Sequence, residues 1–275
     1  MSGILQRPGY LHLPLEFARA ESQIKRAIIS RGLAYDLYET QKTNRKYHAK
    51  PPIIFLHGLF GSRRNNQSVC KLLSRDLNTQ VYALDLRNHG DSFHHPDHDY
   101  NVMADDVSTF MKDNGLKEAT VIGHSMGAKV AMTLALRAPD LVASLISVDN
   151  APVRKHNQDD FGQYIRGMAQ VEAASLTSRS QADKVLEQFV PSPAVRQFLL
   201  GNLQRPQGSP KLKFRIPLNI LHGSLGVLGD FPDFASTQQR FSKPALFIRG
   251  NKSDYASMLA TGLYRNSQRT SVKKS

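Results

Sequence analysis

The sequence predicts an α/β fold in which a mainly parallel sheet carries helices on both faces. Two observations predict it: apolar, β-rich runs alternate with helical patterns along the chain, and several of those runs are continuous Val/Ile/Leu segments. A strand without polar alternation is buried on both faces, which requires a layer of helices on each side. With 275 residues, 40% of them hydrophobic, the chain can bury one substantial core, enough for a single domain of this class.

Residues 1–31 form an N-terminal extension that is basic (Arg7, Arg19, Lys25, Arg26, Arg31), and Leu15–Ile29 can form an amphipathic helix. A mitochondrial leader should be poor in acids, yet Glu16 and Glu21 interrupt this stretch, so leader and plain extension both fit. The core is expected over residues 32–151. Its strands are placed at Leu33–Glu39, Pro52–His57, Gln80–Leu86, Ala119–Ile122 and Ala143–Asp149. Helices are expected near Arg64–Asp76, Asn101–Asn114 and Met126–Ala138, the last closed by Pro139 and Asp140.

Over residues 152–241 the texture changes. Helical segments Phe161–Leu176 and Gln181–Phe189 are followed by a Pro/Gly-rich stretch, Gly201–Pro210. A helical insert between two core strands accounts for this, and it would cover the carboxyl edge of the sheet as a lid. The strand pattern returns at Ala245–Arg249, within residues 242–254. Residues 255–275 contain no histidine, no acid and no convincing strand, and read as an atypical basic tail.

The net charge of +13 suggests a nucleic-acid binder, but its distribution argues otherwise. Residues 51–150, where the chemical motifs lie, carry nine Lys/Arg against eleven Asp/Glu, so the excess sits in the flanks. No basic stripe interleaved with aromatics appears, and no nucleic-acid partner is expected. No run approaches the roughly 18 consecutive apolar residues of a membrane span. The single cysteine, Cys70, excludes an internal disulfide and favours a reducing compartment.

Gly123-His124-Ser125-Met126-Gly127 is a complete G-x-S-x-G, preceded by an apolar strand and followed by a helix. That context makes Ser125 a candidate nucleophile on a sharp strand-to-helix turn, where the flanking glycines avoid a clash with neighbouring chain. His57-Gly58-Leu59-Phe60-Gly61-Ser62 directly follows another buried strand, and its glycines let the loop fold back toward Ser125. The N–H groups of Leu59 and Met126 are the natural oxyanion hole, each donor contributing on the order of 3 kcal/mol to barrier lowering. Asp85–Ser92 reads as a rigid loop bracing that turn, with His57 and His89 structural. His94, His95 and His98, with Asp97 and Asp99, lack a regular ligand spacing, so no metal and no cofactor is expected.

These motifs, in this order, resemble the α/β-hydrolase superfamily. With Ser147-Val148-Asp149-Asn150-Ala151-Pro152 the resemblance narrows to the mitochondrial abhydrolase-domain group that includes the fungal ethanol acetyltransferases, over roughly residues 33–254. The resemblance implies that Asp149, 24 residues after Ser125, is the acid of a catalytic triad, with Asp254 the rival. It also implies a mitochondrial location, the alternative being cytoplasmic.

The chemistry expected is hydrolysis of a small carboxylic ester or thioester through an acyl-serine intermediate. The alternatives are alcohol acyl transfer from acetyl-CoA and a catalytically dead homologue. The last is raised because the triad histidine of this group, in a Gly-His context after one further strand, has no match. The final histidine is His222, in Leu221-His222-Gly223 within the insert. The C-terminus is therefore expected to be truncated or aberrant, with a final strand and helix missing.

Overall fold

The computed structural model describes residues 23–27, 32–39, 50–153, 159–234, 236–237, 239–250 and 267–272. Its strands are β1 (Gln23–Ala27), β2 (Tyr35–Glu39), β3 (Ile53–Leu56), β4 (Val81–Leu84), β5 (Ala119–His124), β6 (Val142–Val148), β9 (Ala245–Gly250) and β10 (Ser267–Val272). They form one sheet in the order β1-β2-β4-β3-β5-β6-β9-β10. β1 and β2 run antiparallel to their neighbours, and every pairing from β4 to β10 is parallel.

The centre of the sheet is as apolar as the sequence demands. β3, Ile-Ile-Phe-Leu, and β4, Val-Tyr-Ala-Leu, are buried along their whole length. Parallel neighbours need crossover connections, and helices α1 (Gln67–Leu77), α2 (Tyr100–Asp113) and α3 (Met126–Arg137) supply them. Asp99 caps α2, its carboxylate accepting from the N–H groups of Asn101 and Val102. In α3 every residue from Met126 to Leu136 is buried, so the helix that begins beside Ser125 is held rigidly by the core.

The insert contains α4 (Asp159–Ala173), α5 (Arg179–Glu187), α6 (Pro193–Leu200), a short antiparallel pair β7 (Leu203–Gln204) and β8 (Lys213–Phe214), and α7 (Leu218–Gly229). Ile165, Met168, Leu186, Leu199 and Leu221 join the hydrophobic cluster of the core. Asn202 Nδ2 donates to Phe60 O at 2.7 Å, which ties the insert to the loop after β3. Helix α7 escaped sequence reading because its glycines (Gly223, Gly226, Gly229) argue against a helix in isolation. No helix among the described residues is long and apolar enough to cross a membrane.

Two expectations are corrected. Part of the expected helix Leu15–Ile29 is strand β1, antiparallel to β2, and the rest lies outside the described residues. The tail 255–275, expected to hold no strand, supplies β10, whose residues pair with β9 from Ser267↔Ala245 to Val272↔Gly250. Both are edge strands. An edge is joined through main-chain hydrogen bonds, which any residue except proline can make, so neither needed the apolar run that marks a central strand.

Candidate active site

Ser125 lies between β5 and α3 with φ 52° and ψ −114°, a conformation that non-glycine residues seldom adopt. Its backbone is fixed from three sides. Ser125 N donates to Val148 O at 2.9 Å, Ala128 N donates to Ser125 O at 3.0 Å, and Asn150 Nδ2 donates to the same oxygen at 3.1 Å. A Cβ at Gly123 would overlap the Gly127 carbonyl, and one at Gly127 would stand 2.5 Å from Leu56 O. The two glycines thus permit the close approach of β3, β5 and α3 that produces the bend. Ser125 is half-buried, so its side chain reaches the surface of the core.

The loop after β3 crosses directly over this bend: a Cβ at Gly58 would lie 3.2 Å from the Cβ of Ser125. The loop is tight, with Gly61 N donating to Gly58 O at 2.9 Å and Phe60 at φ 60°. Two buried histidines hold it. His57 Nδ1 donates to Gly58 O (2.8 Å) while its Nε2 accepts from Leu86 N (3.0 Å). His89 Nδ1 donates to Arg87 O (3.0 Å) while its Nε2 accepts from Phe60 N (3.1 Å).

Burial lowers the pKa of His57 to about 4 and that of His89 to about 3. Both rings are therefore neutral near pH 7, which is why each can accept through one nitrogen and donate through the other. With Phe60 N occupied by His89, the N–H groups of Leu59 and Met126 remain without a hydrogen-bond partner among the described residues.

The loop Asp85–Ser92 owes its rigidity to a buried ionic cluster. Asp85 accepts from Arg63 N (2.6 Å), from Asp91 N (2.9 Å) and from the Arg63 guanidinium. Arg63 also pairs with Asp36 at 3.1 Å and Asp91 at 2.9 Å. Burial pushes the Asp85 carboxyl up, against the pull of Arg63. Gly90, at φ 57°, has no room for a Cβ, which would fall on the Asp85 carboxylate. The cluster holds His89 in place, and through it the turn at Phe60.

Asp149 follows β6, the strand beside β5, with φ 60°. Its N–H donates to Ile248 O at 2.7 Å, and its Oδ1 accepts from Gly250 N at 3.3 Å, so it is held at the carboxyl end of the sheet. Asp254, the rival acid, lies outside the described residues. Asn150 was not singled out by sequence reading, although it bonds the elbow carbonyl; only the Ser147–Pro152 motif hinted at it. Ser147 Oγ donates to Asn150 O at 2.8 Å and steadies the same turn.

No histidine hydrogen-bonds the Ser125 hydroxyl or the Asp149 carboxylate among the described residues; His12, His48 and His156 lie outside them. His222 is exposed on α7 and lines a cavity of the insert to which Ser125 does not contribute.

The sequence matches the family described as alpha/beta hydrolase fold over residues 51–265. It is 37% identical to a probable alcohol acetyltransferase of Saccharomyces cerevisiae, over 81% of this chain and 70% of the relative. It is 38% identical to the sn-1-specific diacylglycerol lipase ABHD11 of Xenopus laevis, over 82% of this chain and 70% of the relative. Among solved structures, a marine microorganism esterase superposes with a TM-score of 0.76 at 26% identity, covering 89% of this chain and 92% of the esterase.

Proposed function

Since this chain belongs to the α/β-hydrolase fold family, we propose that it is a serine acyl-transfer enzyme acting on carboxylic esters or thioesters. Ser125 Oγ attacks the substrate carbonyl and forms an acyl-serine, releasing an alcohol or thiol that takes up the proton lost by the serine. Water then hydrolyses the acyl-serine and restores the free hydroxyl. In each step the negative oxygen of the tetrahedral intermediate is held by the N–H groups of Leu59 and Met126. Asp149 is the acid that would orient a histidine base, a role that none of the described histidines fills by a hydrogen bond to its carboxylate. The observation that supports this reading is the strained backbone of Ser125 beside two amides that nothing else uses among the described residues.

The test is covalent labelling. A fluorophosphonate should modify the chain at Ser125, and the Ser125→Ala variant should be inert. Labelling elsewhere, or none, would remove Ser125 from its role. Turnover of p-nitrophenyl acetate that disappears in Ser125→Ala would also dispose of the catalytically dead alternative.

A second reading, acyl transfer to an alcohol, is favoured by the identity with the relative named as an alcohol acetyltransferase. Hydrolysis and transfer share the acyl-serine and differ only in whether water or alcohol resolves it. Ethyl acetate formed from acetyl-CoA and ethanol supports transfer, and acetate alone supports hydrolysis. We also propose a mitochondrial location, on the basic N-terminal residues and the resemblance to a mitochondrial group. Cytosolic fluorescence of a C-terminally tagged chain would overturn it.

A further inference from the structure

A cavity of about 870 Å³ lies in the insert, and none of Ser125, Asp149, Leu59 and Met126 lines it. Its volume falls within the roughly 300–1,000 Å³ of small-molecule sites. Its lining includes four apolar residues: Ile165 of α4, Phe214 of β8, and Ile216 and Leu218 where the chain enters α7. All four are buried. Its charged lining is Arg166, Lys213 and Arg215 against one carboxylate, Glu172, with His94 and His222 also contributing.

The pairing inside the cavity decides which charges remain available. Arg215 is engaged with Asp91, at 2.7 Å. Glu172 Oε1 accepts from Phe214 N at 2.8 Å, which turns the carboxylate toward the main chain of β8. Arg166 and Lys213 are exposed and have no carboxylate partner among the described residues. Among the described residues, two cations without a carboxylate partner therefore border apolar lining in a concave space. Arginine offers a planar fork of donors that matches carboxylate or phosphate oxygens, and lysine adds a point charge. Besides the buried residues, Ala169, Pro206 and Pro217 keep apolar surface open in the cavity, and that surface suits an alkyl chain, whose removal from water contributes roughly 25 cal/mol per Å².

We infer that this cavity is a second ligand site, separate from Ser125, for a single-chain anionic amphiphile whose carboxylate or phosphate head lies on Arg166 and Lys213. The site goes beyond the acyl-transfer reading and does not depend on it, because occupancy is a binding event that needs no nucleophile.

The experiment measures displacement of cis-parinaric acid from the full chain carrying Ser125→Ala, which removes turnover by that residue. Oleate and 1-oleoyl-lysophosphatidate should compete, and whichever competes better identifies the head group. Neutral 1-monooleoylglycerol should compete at least about tenfold more weakly, the loss expected when a charge-assisted hydrogen bond is absent. Adding Arg166→Gln and Lys213→Gln should abolish that difference while leaving the melting temperature unchanged, since both side chains are exposed. In the chain with Ser125 intact, the same double substitution should leave fluorophosphonate labelling unchanged. Equal competition by neutral and anionic amphiphiles, an unaltered preference in the double variant, or inorganic phosphate competing as well as the amphiphiles would each overturn the assignment.

Discussion

Gly127 has no space for a methyl group, because a Cβ there would meet Leu56 O at 2.5 Å. Gly127→Ala must therefore push α3 away from β3 and change the distance between Ser125 and Leu59. The expected cost is about 1–3 kcal/mol of stability, with a larger proportional loss of Ser125 labelling. Urea titration and the labelling rate check both. An unperturbed labelling rate would mean that the bend tolerates more than its geometry suggests.

The same scale governs proton transfer. No histidine is bonded to Ser125 among the described residues, so imidazole added to the buffer should speed fluorophosphonate labelling of Ser125 severalfold, with Ser125→Ala as the blank. The acceleration should follow the unprotonated fraction of imidazole as pH rises. Rapid labelling that imidazole leaves untouched would show that the chain supplies its own base.

At the scale of elements, the end of α7 is fastened to the core next to the elbow. Lys129, buried in the first turns of α3, donates to Gly229 O at 3.2 Å and Asp230 O at 2.7 Å. Tyr100 Oη donates to Leu228 O at 2.6 Å, and the Lys129 ammonium lies 5.5 Å from the Tyr100 ring centroid. A cation at a helix C-terminus satisfies open carbonyls and opposes the negative end of the dipole. Lys129→Met keeps the packing but removes both of these bonds, at a cost of about 1–3 kcal/mol. Limited proteolysis should then cut first within residues 225–240, where the wild-type chain should resist. Cleavage at the same site and rate in both would separate Lys129 from insert docking.

This fastening was not legible in the sequence, because it joins residues a hundred positions apart through side-chain-to-carbonyl bonds. Strands β3 to β6 and helices α1 to α3 were legible, since each shows its burial as a local run or period. Helix α6 and the β7–β8 pair were not, because their short segments become ordered through contacts with the rest of the insert.

For the whole molecule, three buried neutral histidines make stability depend on pH. Burial lowers His57 to about 4, and His89 and His98 to about 3, from the ordinary 6.5. Below pH 6.5 the unfolded chain therefore binds more protons at these sites than the folded one, so unfolding is favoured as pH falls. The stabilisation is complete above about 6.5 and is lost progressively toward about 3, by up to roughly 1.4 kcal/mol per pH unit for each histidine. Urea unfolding between pH 7.5 and 4.5 should show this decline. His89→Gln, though less stable at pH 7.5, should decline more gradually, and an identical slope would mean that His89 does not carry the effect.

The chain by itself determined the centre of the sheet and the bend at Ser125. Both depend on neighbours in sequence: an apolar strand, two glycines four positions apart, and a helix that begins at once. Tertiary structure alone decided the edge strands β1 and β10, the Arg63–Asp85 cluster and the hold of Asn150 on the elbow carbonyl. The physical reason is that these rest on main-chain pairing or on ion pairs and hydrogen bonds between distant segments. Such bonds leave no periodicity in the residues that make them.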